Sequence, residues 1–294
     1  MADTVAPPPV PPQRPPRPPT ARKLGRDARE LAQARELTAN LVRRDLKVRH
    51  RGTFLGMLWS LANPLLLVVL YYGIFKYILG ASPAQDVARP DGHAVPFAIY
   101  FFSGLTLWNL FSNSLAGGTG SVVGSGYLLR KVYFPRAILP LSVVLASVVT
   151  FTFELTVLML MTLVLVGLPG FSILWLPVIV AITALVSFGF ALFLSAVTVF
   201  LRDMSHFVGV LLQLWFWTTP ILYSLQFVSR RPAMVRLLKV NPMTGLIVSF
   251  RNVVVLDHPP DLLLLGYDLL FGLVMLAIGM YTFQRWQRLF SEIV

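Results

Sequence analysis

Residues 138–166 read ILPLSVVLASVVTFTFELTVLMLMTLVLV, and after a break at Gly167, Pro169 and Gly170 the apolar run resumes over Ile173–Phe200. The hydrocarbon core of a bilayer takes about 20 apolar residues of helix, so each run crosses with length to spare and implies tilt or protrusion. Four more candidates flank this pair: Trp59–Leu79, Pro96–Ala116, His206–Tyr223 and Leu262–Phe283. The reading is an all-α polytopic membrane protein with about six transmembrane helices, the transmembrane domain filling residues 59–294. Composition agrees. Hydrophobic residues make up 56% of the 294 and charged residues 13%, against about 25% charged in a soluble globular chain. Mean hydropathy is +0.70. There are too few charges to cover a water-soluble surface, and too many apolar residues for disorder beyond the N-terminus.

Between the fifth and sixth runs the pattern changes. Thr219-Pro220 precedes Tyr223, and Asn241-Pro242-Met243 opens a shorter apolar stretch, Gly245–Leu256. That stretch is too short to cross and reads as part of a pair of re-entrant helices, which are tolerated only where protein or water satisfies their backbone. At the other end of the chain, residues 1–22 are Pro-rich and read as a disordered cytosolic tail. Residues 23–58 carry Leu24, Ala28, Leu31, Ala34, Leu37 and Leu41 at three- and four-residue steps among many arginines. This is an amphipathic basic helix, lying on the membrane face or packed on a partner.

The net charge is +12, from 25 Lys and Arg against 13 Asp and Glu. In a membrane protein this points to cytoplasmic loops and anionic headgroups rather than to nucleic acid. With both termini cytoplasmic, eighteen of the 25 basic residues fall inside, twelve of them before Trp59. Arg230, Arg231, Arg236, Lys239 and Arg251 resist that assignment, because it places their loop outside. Several chemistries are absent. There is no cysteine, so no disulfide or thiolate site. No GxxxxGK[ST], HExxH or GxSxG occurs, and the four histidines are too scattered for a metal motif. Gly117, Gly118, Gly120, Gly124 and Gly126 read as a flexible break after the second run.

Four stretches stand in a telling order: Arg44-Asp45-Leu46-Lys47-Val48-Arg49 leading into Gly56-Met57-Leu58-Trp59-Ser60-Leu61-Ala62-Asn63-Pro64; Leu128–Arg136, reading LLRKVYFPR; Thr219-Pro220; and Asn241-Pro242-Met243. Together they resemble the permease subunit of type-2 ABC exporters for polysaccharides, a family that exports O-antigen, capsular polysaccharide, teichoic acid and the lipid-linked galactan of mycobacteria and relatives. The resemblance runs from about Glu36 to the C-terminus. It implies a homodimer of permeases in the bacterial inner membrane, two separate cytosolic ATPase subunits that bind ATP and Mg, and no cofactor in this chain. It also implies that the loop after the second span couples to the ATPase, with Tyr127, Leu128, Leu129, Arg130, Lys131 and Tyr133 as contacts. The N-terminal interface helix and outer re-entrant helices of the family match features read independently above.

Within the spans, Glu154 is an acid near the bilayer centre, costing roughly 2.5–3.5 kcal/mol on insertion scales, so it faces protein or water. It reads either as a contact on the substrate path or as a carboxyl satisfied by a neighbouring helix. Sugars stack on aromatic faces, and the resemblance sets Tyr71, Tyr72, Phe75, Trp215, Phe216, Trp217 and Tyr223 around the path; aromatic belts at the membrane interface are the other reading. Arg230, Arg231 and Arg251 then lie near the exit. The favoured cargo is a lipid-linked polysaccharide, an actinobacterial galactan on the Arg-rich coding and Pro-rich start. Two rivals stand: a drug or small-lipid exporter of the same superfamily, and a membrane-embedded glycosyltransferase, for which Asp257 and Asp261 are the only loose acidic pair.

Overall fold

The computed structural model describes residues 35–50, 58–78, 89, 92, 95–131, 134–226, 228–229 and 231–293. The Pro-rich tail, residues 23–34 and 51–57 of the interface segment, Tyr133 and Arg230 lie outside the described residues. Among the described residues all regular structure is helical. In chain order the helices are α1 (Arg35–His50), α2 (Leu58–Gly73, widening into a π-helical turn over Ile74–Ile78), α3 (Phe97–Gly120), α4 (Gly126–Lys131) and α5 (Ile138–Leu165). Then follow α6 (Leu176–Phe200, entered through a 3-10 turn over Phe171–Trp175), α7 (Met204–Thr218), α8 (Pro232–Val240), α9 (Pro242–Val254), α10 (Leu262–Trp286) and α11 (Phe290–Ile293).

Among the described residues three segments are long and apolar enough to cross a membrane: α5, Phe171–Phe200 and α10. Of the other three expected spans, α3 has the length, 24 residues, but interrupts its apolar run with Ser103, Thr106, Asn109, Ser112, Asn113 and Ser114. The remaining two, α2 and α7, have 16 and 15 residues. The fifth run is helical over less than the expected His206–Tyr223. Pro220 disfavours helical backbone in the residue before it, and Thr219 is extended, with φ −104° and ψ 136°. The glycine-rich stretch also departs from expectation. Gly117, Gly118 and Gly120 belong to α3, Gly124 to a 3-10 turn and Gly126 to α4. Gly118 packs so closely on α6 that an added Cβ would overlap Ala191. Gly118 thus permits a helix contact, while Gly120 and Gly124 face open space.

Helix α3 is the core. Phe101, Phe102, Leu107 and Phe111 are fully buried, and α2, α5, α6, α7 and α9 all pack on it. A helix buried on all sides needs no single apolar stripe, which is how it accommodates so many polar residues. The hydroxyls are met inside the helices: Ser114 donates to Leu110 O, Thr119 to Leu115 O and Ser187 to Thr183 O, at 2.6, 2.6 and 2.7 Å. Along the α6–α10 contact the backbones touch. A Cβ on Gly189 would strike the backbone of Met275 and Leu276, and one on Gly279 the carbonyl of Gly189. Small residues at a crossing let dispersion and packing hold helices that lipid would otherwise solvate equally well.

The two ends of the bundle differ. At one end a second cluster joins Leu41 of α1, Leu129 of α4, Ile138 and Leu139 of α5, Phe283 of α10 and Phe290 of α11. The apolar side of α1 therefore docks on its own chain. Thr38 and Leu41 are buried, Ser142 of α5 donates to Asp45 Oδ2 at 3.0 Å, and Arg43, Arg44 and Lys47 remain exposed. At the opposite end Arg89 is buried and donates to Leu168 O at 2.9 Å and Val166 O at 3.4 Å. Its guanidinium lies 3.9 Å from Asp257. Gly167, with φ +121°, makes the turn between α5 and α6 that presents these carbonyls.

Candidate functional site

The two Pro-containing motifs after α7 meet in space. Asn241 caps α9, its Oδ1 accepting from Met243 N at 3.0 Å, with Pro242 at the first helical position, where no donor is needed. The same Oδ1 accepts from Trp215 Nε1 at 2.9 Å, and Asn241 Nδ2 donates to Thr219 Oγ1 at 2.9 Å. Thr219 in turn donates to Trp215 O at 2.8 Å. One side chain thus ties the end of α7 to the start of α9, and α8 is the arm between them.

The far end of α9 is held by Arg251, which is 3% exposed and has no carboxylate partner among the described residues. Its Nε donates to Tyr100 O at 3.1 Å, Nη1 to Tyr100 Oη at 2.9 Å and to Pro220 O at 2.6 Å, and Nη2 to Ile221 O. The guanidinium carbon lies 3.8 Å from the Tyr100 ring centroid. Carbonyl dipoles and a ring face replace the missing anion. Gly104 leaves room for this: a Cβ there would collide with the guanidinium. Tyr100 Oη also donates to Tyr223 O at 3.1 Å, so the brace joins α3, α9 and the turn after α7. A helix of 13 residues, buried along most of its length and fixed at both ends, is a rigid body next to α3.

Inside the bundle two acids are buried. Glu154 of α5 is 2% exposed and accepts from Asn109 Nδ2 of α3 at 3.1 and 3.3 Å. Asp268 of α10 is fully buried, and among the described residues neither of its oxygens has a hydrogen-bond partner. It presses against Gly245 in the first turn of α9, so closely that a Cβ there would overlap the carboxyl. Of the aromatics, Trp215 stands edge-on to Phe111 and Phe190 at 5.0 and 5.7 Å, and Phe216 to Trp108 at 5.8 Å. Tyr71 meets Phe101 at 5.2 Å. Trp217 and Tyr72 are exposed, Tyr223 is half-buried, and the side chain of Phe75 is outside the described set. The aromatics assigned to the path therefore divide into inward ring packing and two open faces.

At the opposite end, α4 carries the expected coupling residues Tyr127, Leu128, Leu129, Arg130 and Lys131. Tyr127 and Lys131 are exposed, and Lys131 Nζ contacts the Tyr127 hydroxyl and sits 4.3 Å from its ring centroid. Leu129 is buried in the cluster with α1 and α11, and Leu128 packs against the same cluster. The side chain of Arg130 is not among the described ones. Among the described side chains of α4, Tyr127 and Lys131 face outward, while the leucines hold the helix to the bundle.

A family model for the ABC-2 type transporter matches residues 36–255, from the start of α1 to just past α9. The chain belongs to the ABC-2 type transporter family. Among its relatives is the O-antigen export system permease protein RfbA of Myxococcus xanthus, 34% identical over 79% of this chain and 85% of the relative. A protein of the same description from Klebsiella pneumoniae is 28% identical over 88% of this chain and 95% of its own length. Both brace motifs, Thr219-Pro220 with Asn241-Pro242 and Arg251 on Tyr100, fall within the matched part of this ABC-2 transporter.

The acidic pair considered for sugar transfer is otherwise engaged. Asp261 caps α10, accepting from Leu263 N and Leu264 N at 3.0 and 3.3 Å. Asp257 faces Arg89 and sits against Gly170. Sequence reasoning passed over Asp268, Asn109 and Arg89. For Asp268 the signal was the same as for Glu154, an acid inside an apolar run. Asn109 and Arg89 carried none, since their partners lie 45 and about 80 residues away.

Proposed function

We propose that this ABC-2 protein is the permease of an ATP-driven polysaccharide exporter that moves a lipid-linked glycan from the cytoplasmic to the outer side of the inner membrane. The observation that carries the reading is the near full-length similarity to O-antigen export permeases, 95% of one relative being covered. The six apolar runs support six crossings, with α2, α3 and α7 spanning beside α5, α6 and α10, and the charge pattern supports cytoplasmic termini. A long hydrophilic glycan cannot pass lipid, so two permease copies enclose its path and two separate ATPase subunits, binding ATP and Mg, drive their rearrangement. The favoured cargo is an actinobacterial galactan on a lipid carrier. The α4 end meets the ATPase through Tyr127 and Lys131. The α8 end, with Arg230 and Arg231, lies where the glycan leaves, and Arg251 braces α9 there instead of facing the path.

The test is reconstitution. Proteoliposomes holding this chain and the ATPase from its genomic neighbourhood should move a labelled lipid-linked glycan only with ATP, and the chain alone should hydrolyse none. ATP hydrolysis by the chain purified free of contaminants, or glycan movement without the ATPase, overturns the reading. Movement of other polyprenyl-linked glycans but not galactan overturns the galactan assignment alone.

A further inference from the structure

Between the turn after α7 and helix α8 the chain forms an open groove of about 450 Å³. Pro232, Val235, Arg236 and Lys239 make one wall, and Leu225, Gln226 and Ser229 the other. The four α8 positions follow the i, i+3, i+4, i+7 spacing of a single helix face, so Arg236 and Lys239 are neighbours across one turn. Both are exposed. Among the described residues neither has a carboxylate in ion-pair range; the described pairs are Arg44–Asp45 and Arg89–Asp257. From Met204 to Leu256 the sequence contains no Asp or Glu at all. The groove is therefore positive with nothing in its own chain segment to neutralise it.

The rest of the helix says what kind of anion fits. Met234, Leu237 and Val240 are exposed, Leu237 by 71%, while Leu238 alone is turned inward. A short helix with free cations on one face and open apolar side chains on the next belongs in the headgroup layer of a bilayer. A free phosphate would leave the apolar wall of Leu225, Pro232 and Val235 in water, and an uncharged sugar would leave two cations unpaired.

We propose that this groove seats the phosphate of an anionic phospholipid. Arg236 and Lys239 pair with the phosphodiester, Gln226 and Ser229 offer an amide and a hydroxyl to its remaining oxygens, and Leu225 and Val235 pack on the glycerol and first acyl carbons. Met234, Leu237 and Val240 then enter the acyl layer beside it. The bound lipid fixes the arm that runs from Thr219 at the end of α7 to Asn241 at the start of α9, so the brace at that end of the bundle is anchored to the bilayer. The inference rests on the chain being a membrane protein and holds whatever cargo it carries. It also accounts for Arg236 and Lys239 on the side that the charge pattern assigns to the outside.

Native mass spectrometry of the full chain in detergent, with phosphatidylglycerol or phosphatidylcholine added, tests it. Wild-type protein should retain phosphatidylglycerol in preference to phosphatidylcholine. Arg236→Gln with Lys239→Gln should weaken that retention about 25-fold, each lost charge near an anionic headgroup counting for about fivefold. Arg236→Lys with Lys239→Arg keeps the charge and should restore it, which separates headgroup pairing from damage to α8. Inorganic phosphate in millimolar excess should not displace the lipid. Equal retention of both lipids by the wild type, unchanged retention by the double Gln variant, no recovery in the charge-preserving variant, or displacement by phosphate overturns the proposal.

Discussion

Arg251 is the residue whose loss the fold can least absorb. Its four donors meet Tyr100, Pro220 and Ile221 in a site closed to water. Arg251→Met leaves the buried carbonyls of Pro220 and Ile221 without their donor and should destabilise the chain by about 1–3 kcal/mol for each acceptor that stays unsatisfied, and Arg251→Lys should recover little because an ammonium cannot fork to several acceptors at once. Thermal unfolding of the purified chain in detergent measures both. At Glu154 the substitution has to respect Asn109. Glu154→Leu leaves the Asn109 amide without its partner and should cost about 1–3 kcal/mol. Glu154→Gln keeps a hydrogen bond and removes the ionisable carboxyl, so it isolates the question of function: export at wild-type level with an unchanged or raised melting temperature would mark the pair as structural. The acid was legible in the sequence as a charge inside an apolar run. Its partner was not, because Asn109 lies 45 residues away on another helix and only packing selects it.

At the scale of elements, α4 shows that position along the chain does not by itself say which side of a helix faces outward. The sequence places a short basic and aromatic segment after the second span, and the helix is there. Which residues point outward depends on α1, α10 and α11, whose Leu41, Phe283 and Phe290 take up Leu129. Leu129→Asp would bury a charge in that cluster and should lower the yield of folded protein, with loss of ATPase binding only a consequence. Tyr127→Ala, in contrast, removes an exposed anchor. It should leave the melting temperature within about 1 °C, as surface changes do, and reduce co-purification of a tagged ATPase about tenfold if Tyr127 is a hot spot of the contact. Full ATPase recovery with Tyr127→Ala and Lys131→Glu combined would move the coupling contact to α1. The early end of α7 is a second case. Pro220 was visible in the sequence, but its consequence is that Thr219 turns its hydroxyl to Asn241, and that emerges only when α9 is in place.

For the whole molecule the prediction is that the α4 end faces the cytoplasm and the α8 end the outside. Because the chain has no cysteine, single substitutions make clean reporters. Tyr127→Cys sits on α4 and Ala233→Cys on α8, both at exposed positions at opposite ends of the bundle. In intact cells a membrane-impermeant maleimide should label Ala233→Cys, and Tyr127→Cys only after permeabilisation. The reverse pattern would invert the topology.

The sequence by itself determined the membrane, the helical class, the order of the long runs and the family. Those follow from run length, the scarcity of charge and local motifs, all properties of neighbouring residues. Tertiary structure decided how the polar groups within those runs are satisfied. Glu154 meets Asn109, Arg251 meets Tyr100 and the turn after α7, Asn241 joins Trp215 to Thr219, and Asp268 lies unpaired against Gly245. In a bundle where most neighbours are apolar, each polar side chain has few partners within reach. Which one it finds is set by helix crossings such as Gly189 on Gly279, not by any spacing along the chain.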